Sequence, residues 1–169
     1  MSDPSKYIDF QKLFDHMVNT RKAGFEFEEK IRHEEEDPNG SEEMNRYQNL
    51  FPGYANNFLA SYVNHDKSKA GAYGFDILGI FNYLEHTFEV NMDSLRKLNE
   101  DIGIVEFSTG NFPFGGLERF IMTLKAFDLI PIECFNGFVI YEFGWTSDYE
   151  HDAIELPEKT KEYLAKFKK

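Results

Sequence analysis

The sequence predicts an α+β domain that is predominantly helical. Apolar residues recur at helical spacing through most of the first 130 positions, whereas residues 130–135 and 138–143 form two β-rich runs around Asn136-Gly137. Asn-Gly between such runs is a strong hairpin signal, because both central positions of a type I′ turn need positive φ. The length of 169 residues and a hydrophobic content of 41% suit one packed core. We therefore expect helices packed on a small three-stranded sheet that contains a C-terminal β-hairpin.

The expected organisation is a single domain over residues 1–169. Its helical N-terminal part covers about 5–64, its sheet-containing part about 75–145, and a short C-terminal helix about 157–167. The stretch 64–74 is polar, small and contains glycine, so we expect it to be the loop between the first two parts.

Four helical segments are predicted in the N-terminal part. Ser5 or Asp3 can cap the first, which has Pro4 near its first turn. A second, over 26–36, has little apolar content and should end at the turn signal 37–40. Two more are expected at Ser41–Leu50 and Tyr54–Val63. The apolar stripe of the first helix consists of Tyr7, Phe10, Phe14, Met17 and Val18.

The second half mixes helices and strands. Asp76 can cap a helix whose apolar stripe runs from Ile77 to Phe88, and Asp93 a shorter one that ends near Ile102. A short strand at 104–107 precedes an amphipathic helix with Leu117, Phe120, Ile121 and Leu124 facing inward. The hairpin follows, then an acidic loop after Trp145 and the C-terminal helix, which begins at Pro157.

An alternative architecture resembles a winged helix. Leu95–Asp101 and Gly115–Leu129 would be its helix pair, and residues 130–143 its wing. The linker 102–114 is much longer than a helix-turn-helix turn, and the second helix has only Arg119 and Lys125 against Glu118 and Asp128. The sequence therefore excludes DNA recognition through this element.

The hairpin also predicts two faces. With a two-residue loop, Phe135 lies opposite Phe138 and Glu133 opposite Ile140. The core face then comprises Ile132, Cys134, Val139, Tyr141 and Phe143. The outer face comprises Glu133, Phe135, Phe138, Ile140 and Glu142, and it needs either a covering helix or a partner. Glu133 and Glu142 would be diagonal neighbours; paired carboxylates serve glycosidases, but solvated surface charges are the simpler interpretation here.

No motif predicts catalysis, a metal or a cofactor. The loop Gly110–Leu117 has Gly116 and Leu117 where a phosphate loop has Lys and Ser/Thr. The five histidines lack metal-ligand spacing, and no signature of a nucleophile surrounds Cys134. We accordingly favour a protein that is not an enzyme and binds no cofactor.

The charge distribution predicts the kind of partner. Thirty acidic residues against 18 basic ones give a net charge of −12, which repels nucleic acid and anionic membranes. Residues 26–43, here called the acidic segment, hold nine acids and two bases, a net charge of −7. No leader pattern is present and the single cysteine suits a reducing compartment, so the cytoplasm is the expected location.

These features predict an acidic protein-binding module that engages a basic protein, of the kind that includes immunity-like inhibitors of basic toxins or nucleases. The alternative is a small-molecule-binding domain or enzyme whose aromatic-lined pocket gathers groups such as Glu106, Tyr141 or His86. The predicted partner-binding residues are Glu34, Glu35, Glu36, Asp37, Glu42 and Glu43 in the acidic segment, and Glu133, Phe135, Phe138 and Ile140 on the hairpin.

Overall fold

The chain divides into two compact units, residues 1–129 and 130–169. The computed structural model describes residues 4–22, 26–27, 41–70, 76–88, 90–108 and 117–166. The α+β, predominantly helical fold and the three-stranded C-terminal sheet with its hairpin are confirmed. The boundary between the units lies directly before the hairpin, and the single-domain organisation stays a prediction.

The N-terminal unit contains five α-helices among its described residues, together with two pairs of antiparallel strands. The helix Ile77–Asn82 continues directly into a π-helical turn, Tyr83–Thr87. In chain order the elements are α1 (Pro4–Asn19), β1 (Arg21–Lys22), β2 (Glu26–Phe27), α2 (Ser41–Leu50), α3 (Gly53–Ala70), α4 (Ile77–Asn82), β3 (Asn91–Lys97), β4 (Gly103–Ser108) and α5 (Leu117–Ala126).

The amphipathic pattern places the helices as expected. Leu13 joins the predicted residues of α1 in the core, whereas Val18 lies on the surface. Asp76 caps α4 by accepting a hydrogen bond from the Gly79 N–H at 2.7 Å. In α5, Leu117, Phe120 and Ile121 are buried and Leu124 is half-buried. Aromatic rings join these helices, with centroid distances of 5.6 Å for Phe10–Phe127, 5.4 Å for Phe51–Phe127 and 5.9 Å for Phe51–Phe81.

Three expectations for this unit were wrong. Residues 26–27 form strand β2, paired with β1, in place of the start of a helix. Residues 64–70 continue α3, in place of a loop. Residues 91–97 form β3, which pairs antiparallel with β4, in place of a helix starting at Asp93. The last correction also removes the winged-helix alternative, because its first helix would need residues 95–97. The remainder of the predicted helix 26–36 lies outside the described residues.

The C-terminal unit contains a three-stranded antiparallel sheet made of residues 133–135, 140–145 and 151–155, in that order. The third strand, His151–Glu155, replaces the second half of the expected acidic loop after Trp145. The side chain of Trp145 donates from Nε1 to the Pro131 carbonyl at 2.9 Å, and its ring contacts Phe143 and His151. The elements are β5 (Glu133–Phe135), β6 (Ile140–Trp145), β7 (His151–Glu155) and α6 (Pro157–Ala165), the last of which confirms the short C-terminal helix.

The hairpin differs from prediction in register. Phe135 pairs with Ile140, Cys134 with Tyr141 and Glu133 with Glu142, so the loop spans four residues, 136–139, in place of two. Asn136 explains the wider loop, since its side-chain oxygen accepts from the N–H groups of Phe138 and Val139. Gly137 has φ +94°, a conformation that favours glycine. Because the register moves by two positions, every strand residue keeps its predicted face.

Burial along α1 provides a direct test of the core. Replacing Leu13, which is 0% exposed, by alanine should lower the free energy of unfolding by about 3 kcal/mol, because a buried side chain is lost and a cavity remains. The matched change Ile8→Ala, five residues earlier in the same helix, removes a side chain that is 55% exposed and should cost less than about 1 kcal/mol. Urea unfolding followed by circular dichroism measures both, and equal losses would contradict the assigned core.

Candidate functional site

The most unusual group in the described structure is a fully buried carboxylate. Glu85 is 0% exposed and lies in the π-helical turn that follows α4. The Phe88 N–H closes this turn by donating to the Tyr83 carbonyl, five residues back, at 2.8 Å. Such turns are rare in proteins and are frequent at functional sites, so the surroundings of Glu85 form the first candidate site.

Three basic side chains converge on Glu85. Arg46 donates from Nε to Oε1 and from a terminal nitrogen to Oε2, each at 3.0 Å, which is a bidentate pair. His16 Nε2 lies 2.6 Å from Oε1, and His86 Nε2 lies 3.6 Å from Oε2. We call these four residues the buried carboxylate cluster. The basic partners keep 16–26% of their side-chain surface exposed while Glu85 has none.

The cluster determines the protonation state of Glu85. Burial alone would raise the pKa of this carboxyl, but the hydrogen bonds from His16 and Arg46, and their charges, outweigh burial and lower it below its ordinary 4.5. Glu85 is therefore ionised at neutral pH and can only accept hydrogen bonds. It follows that the hydrogen between His16 and Glu85 belongs to Nε2 of the histidine.

This geometry favours a structural role for Glu85 over a role in proton transfer. A general acid or base works best when its pKa is near the operating pH, whereas the pKa of Glu85 is shifted away from neutrality. Both of its oxygens are already engaged by Arg46. The cluster instead joins α1, α2 and the π-helical turn through one ionised group.

The acidic segment is described only at its ends. Glu34, Glu35, Glu36 and Asp37 lie outside the described residues. Glu42 and Glu43 occupy the first turn of α2, where the helix dipole favours negative charge; Glu42 is exposed and Glu43 half-buried.

Helix α6 covers part of the predicted outer face of the hairpin. Phe135 contacts Tyr163 at a ring-centroid distance of 4.8 Å, and Lys159 donates to Glu133 Oε1 at 2.6 Å. Ile140 is buried, and its N–H donates to the Thr160 hydroxyl at 2.9 Å. Of the four predicted contact residues here, Phe138 is 83% exposed and Glu133 is also exposed, whereas Phe135 is half-buried and Ile140 is buried. The covering helix that this face needed is thus supplied by the chain itself.

Among the described residues, the other candidate groups from the sequence, the cysteine and the histidines, do not form a reactive centre. Cys134 is half-buried, and burial raises the pKa of its thiol despite a hydrogen bond with Tyr141, which makes it a weak nucleophile at neutral pH. Within the described ranges, no three His, Cys, Asp or Glu side chains are placed to hold a metal ion. Gly110 to Gly116 lie outside the described residues.

A shallow groove of about 300 Å³ lies among α2, the start of α3 and α4. Burial raises the pKa of Tyr47, which lines it, to about 12, so the hydroxyl stays protonated and donates to Asn56 Oδ1 at 2.6 Å. The groups expected in a ligand pocket lie elsewhere: Glu106 is exposed on β4, and Tyr141 belongs to the C-terminal unit. The groove is lined by Met44, Tyr47, Gln48, Phe51, Gly53, Asn56, Ile77 and Leu78.

Sequence reasoning missed His16 and Arg46 as partners of Glu85. A signal for Glu85 was present, because it lies four residues after Phe81 and three before Phe88, within the apolar stripe of the predicted helix. A charged residue on such a stripe needs a buried counter-charge. Which basic residues supply it depends on tertiary packing, and neither is adjacent to Glu85 in sequence.

Comparison with known proteins adds no functional assignment, because no protein-family model, curated protein or solved structure matches the chain significantly. Among the residues that the structure describes, no helix is long and apolar enough to cross a membrane.

Removing the charge of Glu85 should destabilise the protein strongly. Glu85→Gln keeps the shape of the side chain but leaves Arg46 without its counter-ion, and we expect a loss of about 3 kcal/mol in the free energy of unfolding. Glu106→Gln is the matched control, because Glu106 also accepts from an arginine, Arg96, but is exposed; it should change stability little. Denaturant unfolding of both variants measures the difference. Equal effects would show that the buried cluster does not stabilise the fold.

The same carboxylate should contribute to acid sensitivity. Because the pKa of Glu85 is lower in the folded protein than its ordinary 4.5, its contribution to stability is complete above pH ~4.5 and is lost as the pH falls through the lowered value. The difference in Tm between the native protein and Glu85→Gln should accordingly be constant near neutrality and shrink on acidification below that pH. Thermal melts from pH 7 to pH 3 test this, and a difference that grows on acidification would contradict it.

Proposed function

We propose that the protein is a non-catalytic binding module that captures a basic protein through its acidic segment, residues 26–43. The single observation that supports this most is the concentration there of nine acids against two bases, more than half of the chain's net charge of −12. Complementary charge of this kind accelerates association with an oppositely charged protein and disfavours acidic competitors.

The ion pairs of the N-terminal unit support the proposal. Lys6 lies 2.8 Å from Asp128, Lys12 2.8 Å from Asp9, and Arg96 3.3 Å from Glu106. Arg46, the one basic residue of α2, directs its guanidinium to Glu85. Each of these four basic residues pairs with a carboxylate outside the acidic segment, and that carboxylate balances its charge.

An inhibitor of a basic toxin or nuclease is the kind of protein that suits this charge distribution, and the cytoplasm is the compartment we propose for it. Inhibitors of that class act by occluding a basic surface, which needs a stable acidic face and no chemistry. Two observations are consistent with such a role: Glu85 is hydrogen-bonded and has a lowered pKa, and the raised pKa of Cys134 makes its thiol a weak nucleophile.

Charge reversal in the acidic segment tests the proposal. The triple change Glu34→Lys, Glu35→Lys and Glu36→Lys should abolish the capture of a basic protein from a lysate at low salt, and native capture should weaken as salt is raised. The matched control is Asp15→Lys, Glu100→Lys and Glu162→Lys, which alters the net charge equally at exposed positions outside the acidic segment and outside β7.

Cross-linking mass spectrometry then locates the contact, and titration calorimetry with the purified partner measures affinity. The control variant should retain binding to within about threefold, whereas the segment variant should lose at least about a hundredfold. Equal losses in the two variants, or capture of an acidic protein by the native chain, would overturn the proposal.

A further inference from the structure

We propose that the outer edge of β7 binds an extended basic segment of the partner protein as a fourth strand of the C-terminal sheet. The inference rests on the proposed function for the basic character of the partner, but it concerns residues other than those of the acidic segment. It depends on three observations: the direction of the backbone groups of β7, the exposure of its side chains, and the charge around it.

The register shows which backbone groups of β7 are available. The Leu156 N–H donates to the Ile140 carbonyl at 2.8 Å, and the Thr146 N–H donates to the Glu150 carbonyl at 3.0 Å. Hydrogen-bonded pairs alternate along an antiparallel ladder, so residues 152 and 154 direct their N–H and C=O groups toward β6. Ala153 and Glu155 therefore direct theirs away from the sheet. Within the described part of the chain, no further strand pairs with this side of β7.

The side chains leave this edge accessible. Asp152, Ala153, Ile154 and Glu155 are all exposed, and Ile154 retains 50% of its surface although it is a large apolar residue. Natural sheets commonly protect an exposed edge with charged side chains, proline or a bulge, because its unpaired groups recruit other strands. Strand β7 has no proline and its pairing with β6 is continuous; its two charged residues, Asp152 and Glu155, are both acidic, so they repel an acidic strand but not a basic one. An added strand needs such an edge, one with exposed side chains and backbone groups that point away from the sheet.

Charge selects the occupant. Strand β7 has two acidic residues and no lysine or arginine, and the C-terminal unit as a whole, residues 130–169, has eight acidic residues against five lysines. A second copy of the chain would bring two such regions together, and pairing β7 with itself about Ala153 would place each Asp152 opposite an isoleucine. A basic strand would instead place opposite charges across the new ladder, which stabilises cross-strand pairs. We therefore assign the edge to a basic partner segment.

The geometry also gives the pattern of that segment. Antiparallel addition places successive partner residues opposite Glu155, Ile154, Ala153 and Asp152. The complementary order, from N- to C-terminus, is basic, apolar, any residue, basic. The two basic residues lie on opposite faces of the strand, as Glu155 and Asp152 do, because side chains alternate along a strand.

Fluorescent peptides provide the test with the full-length protein. The probe is a short peptide that contains Lys-Val-Ser-Lys between threonines, and its control has the same residues with the core permuted to Val-Lys-Lys-Ser. Anisotropy at low salt should show tighter binding of the probe by at least about threefold, because the two adjacent lysines of the control cannot face both Glu155 and Asp152, so at least one charge pair is lost in any register. Equal affinity for the two peptides would overturn the proposal.

Variants of the edge sharpen the result. Ala153→Pro removes an N–H that points away from β6, so it leaves the existing ladder intact while it removes a donor to the added strand; we expect at least about a fivefold loss in affinity. Asp152→Lys and Glu155→Lys should each weaken binding by about threefold or more, whereas Glu162→Lys on α6 should not. If Ala153→Pro fails to fold by circular dichroism, the two charge reversals decide. Unchanged binding in both of them would overturn the proposal.

Hydrogen exchange and oligomeric state complete the test. On peptide binding, the amides of Ala153 and Glu155 should gain protection from hydrogen exchange. If the free protein is instead a dimer, and an edge variant dissociates it, the edge binds a second copy of the chain and the proposal is overturned. The proposed function fails independently. If the edge variants bind the peptide as the native protein does but reversal of Glu34, Glu35 and Glu36 still abolishes partner capture, the function stands and this inference is wrong. If the edge variants lose the peptide but reversal of Glu34, Glu35 and Glu36 leaves partner capture unchanged, the edge proposal stands and the acidic segment is not the contact.

Discussion

The N-terminal unit depends on the ionised side chain of Glu85. A carboxylate with no exposed surface is tolerated only when its charge is matched and its oxygens are hydrogen-bonded, and Arg46 and His16 satisfy both conditions. These partners come from α1 and α2, so three segments distant in sequence must be in place together before the charge is stabilised. Apolar packing among Phe10, Phe51, Phe81 and Phe127 holds the same helices, but it is less selective about their alignment. We therefore expect the ion cluster to contribute specificity of arrangement as well as stability.

The fold was predictable wherever local pattern and tertiary structure agree. The stripe of α1, the cap at Asp76 and the hairpin around Asn136-Gly137 are all local signals, and all three are confirmed. The hairpin register was wrong by two positions because Asn136 uses its side chain to organise a wider loop. A shift of two preserves the alternation of faces, so the separation of Phe135 and Ile140 from Cys134 and Tyr141 was still correct.

The errors occur where long-range pairing overrides local spacing. Leu95, Leu98 and Ile102 recur at helical intervals, yet residues 91–97 pair with the strongly β-forming run at 103–108. The acidic stretch after Trp145 shows no alternation of apolar and polar residues, since β7 is exposed along most of its length. Candidate sites were harder still to predict. The acidic segment is visible in composition alone, whereas the partners of Glu85 and the covering of Phe135 by Tyr163 exist only after distant segments meet.

The position of Trp145 has a practical consequence. It is the only tryptophan in the chain, and its hydrogen bond to Pro131 and its ring contacts with Phe143 and His151 all lie within residues 130–169. Indole emission is sensitive to local polarity, so it follows the integrity of this small sheet, while far-ultraviolet ellipticity follows mainly the helices of the larger unit. The chain thus contains a built-in optical reporter for its smaller unit. Comparing the two signals during unfolding reveals whether the units melt as one cooperative body or in succession.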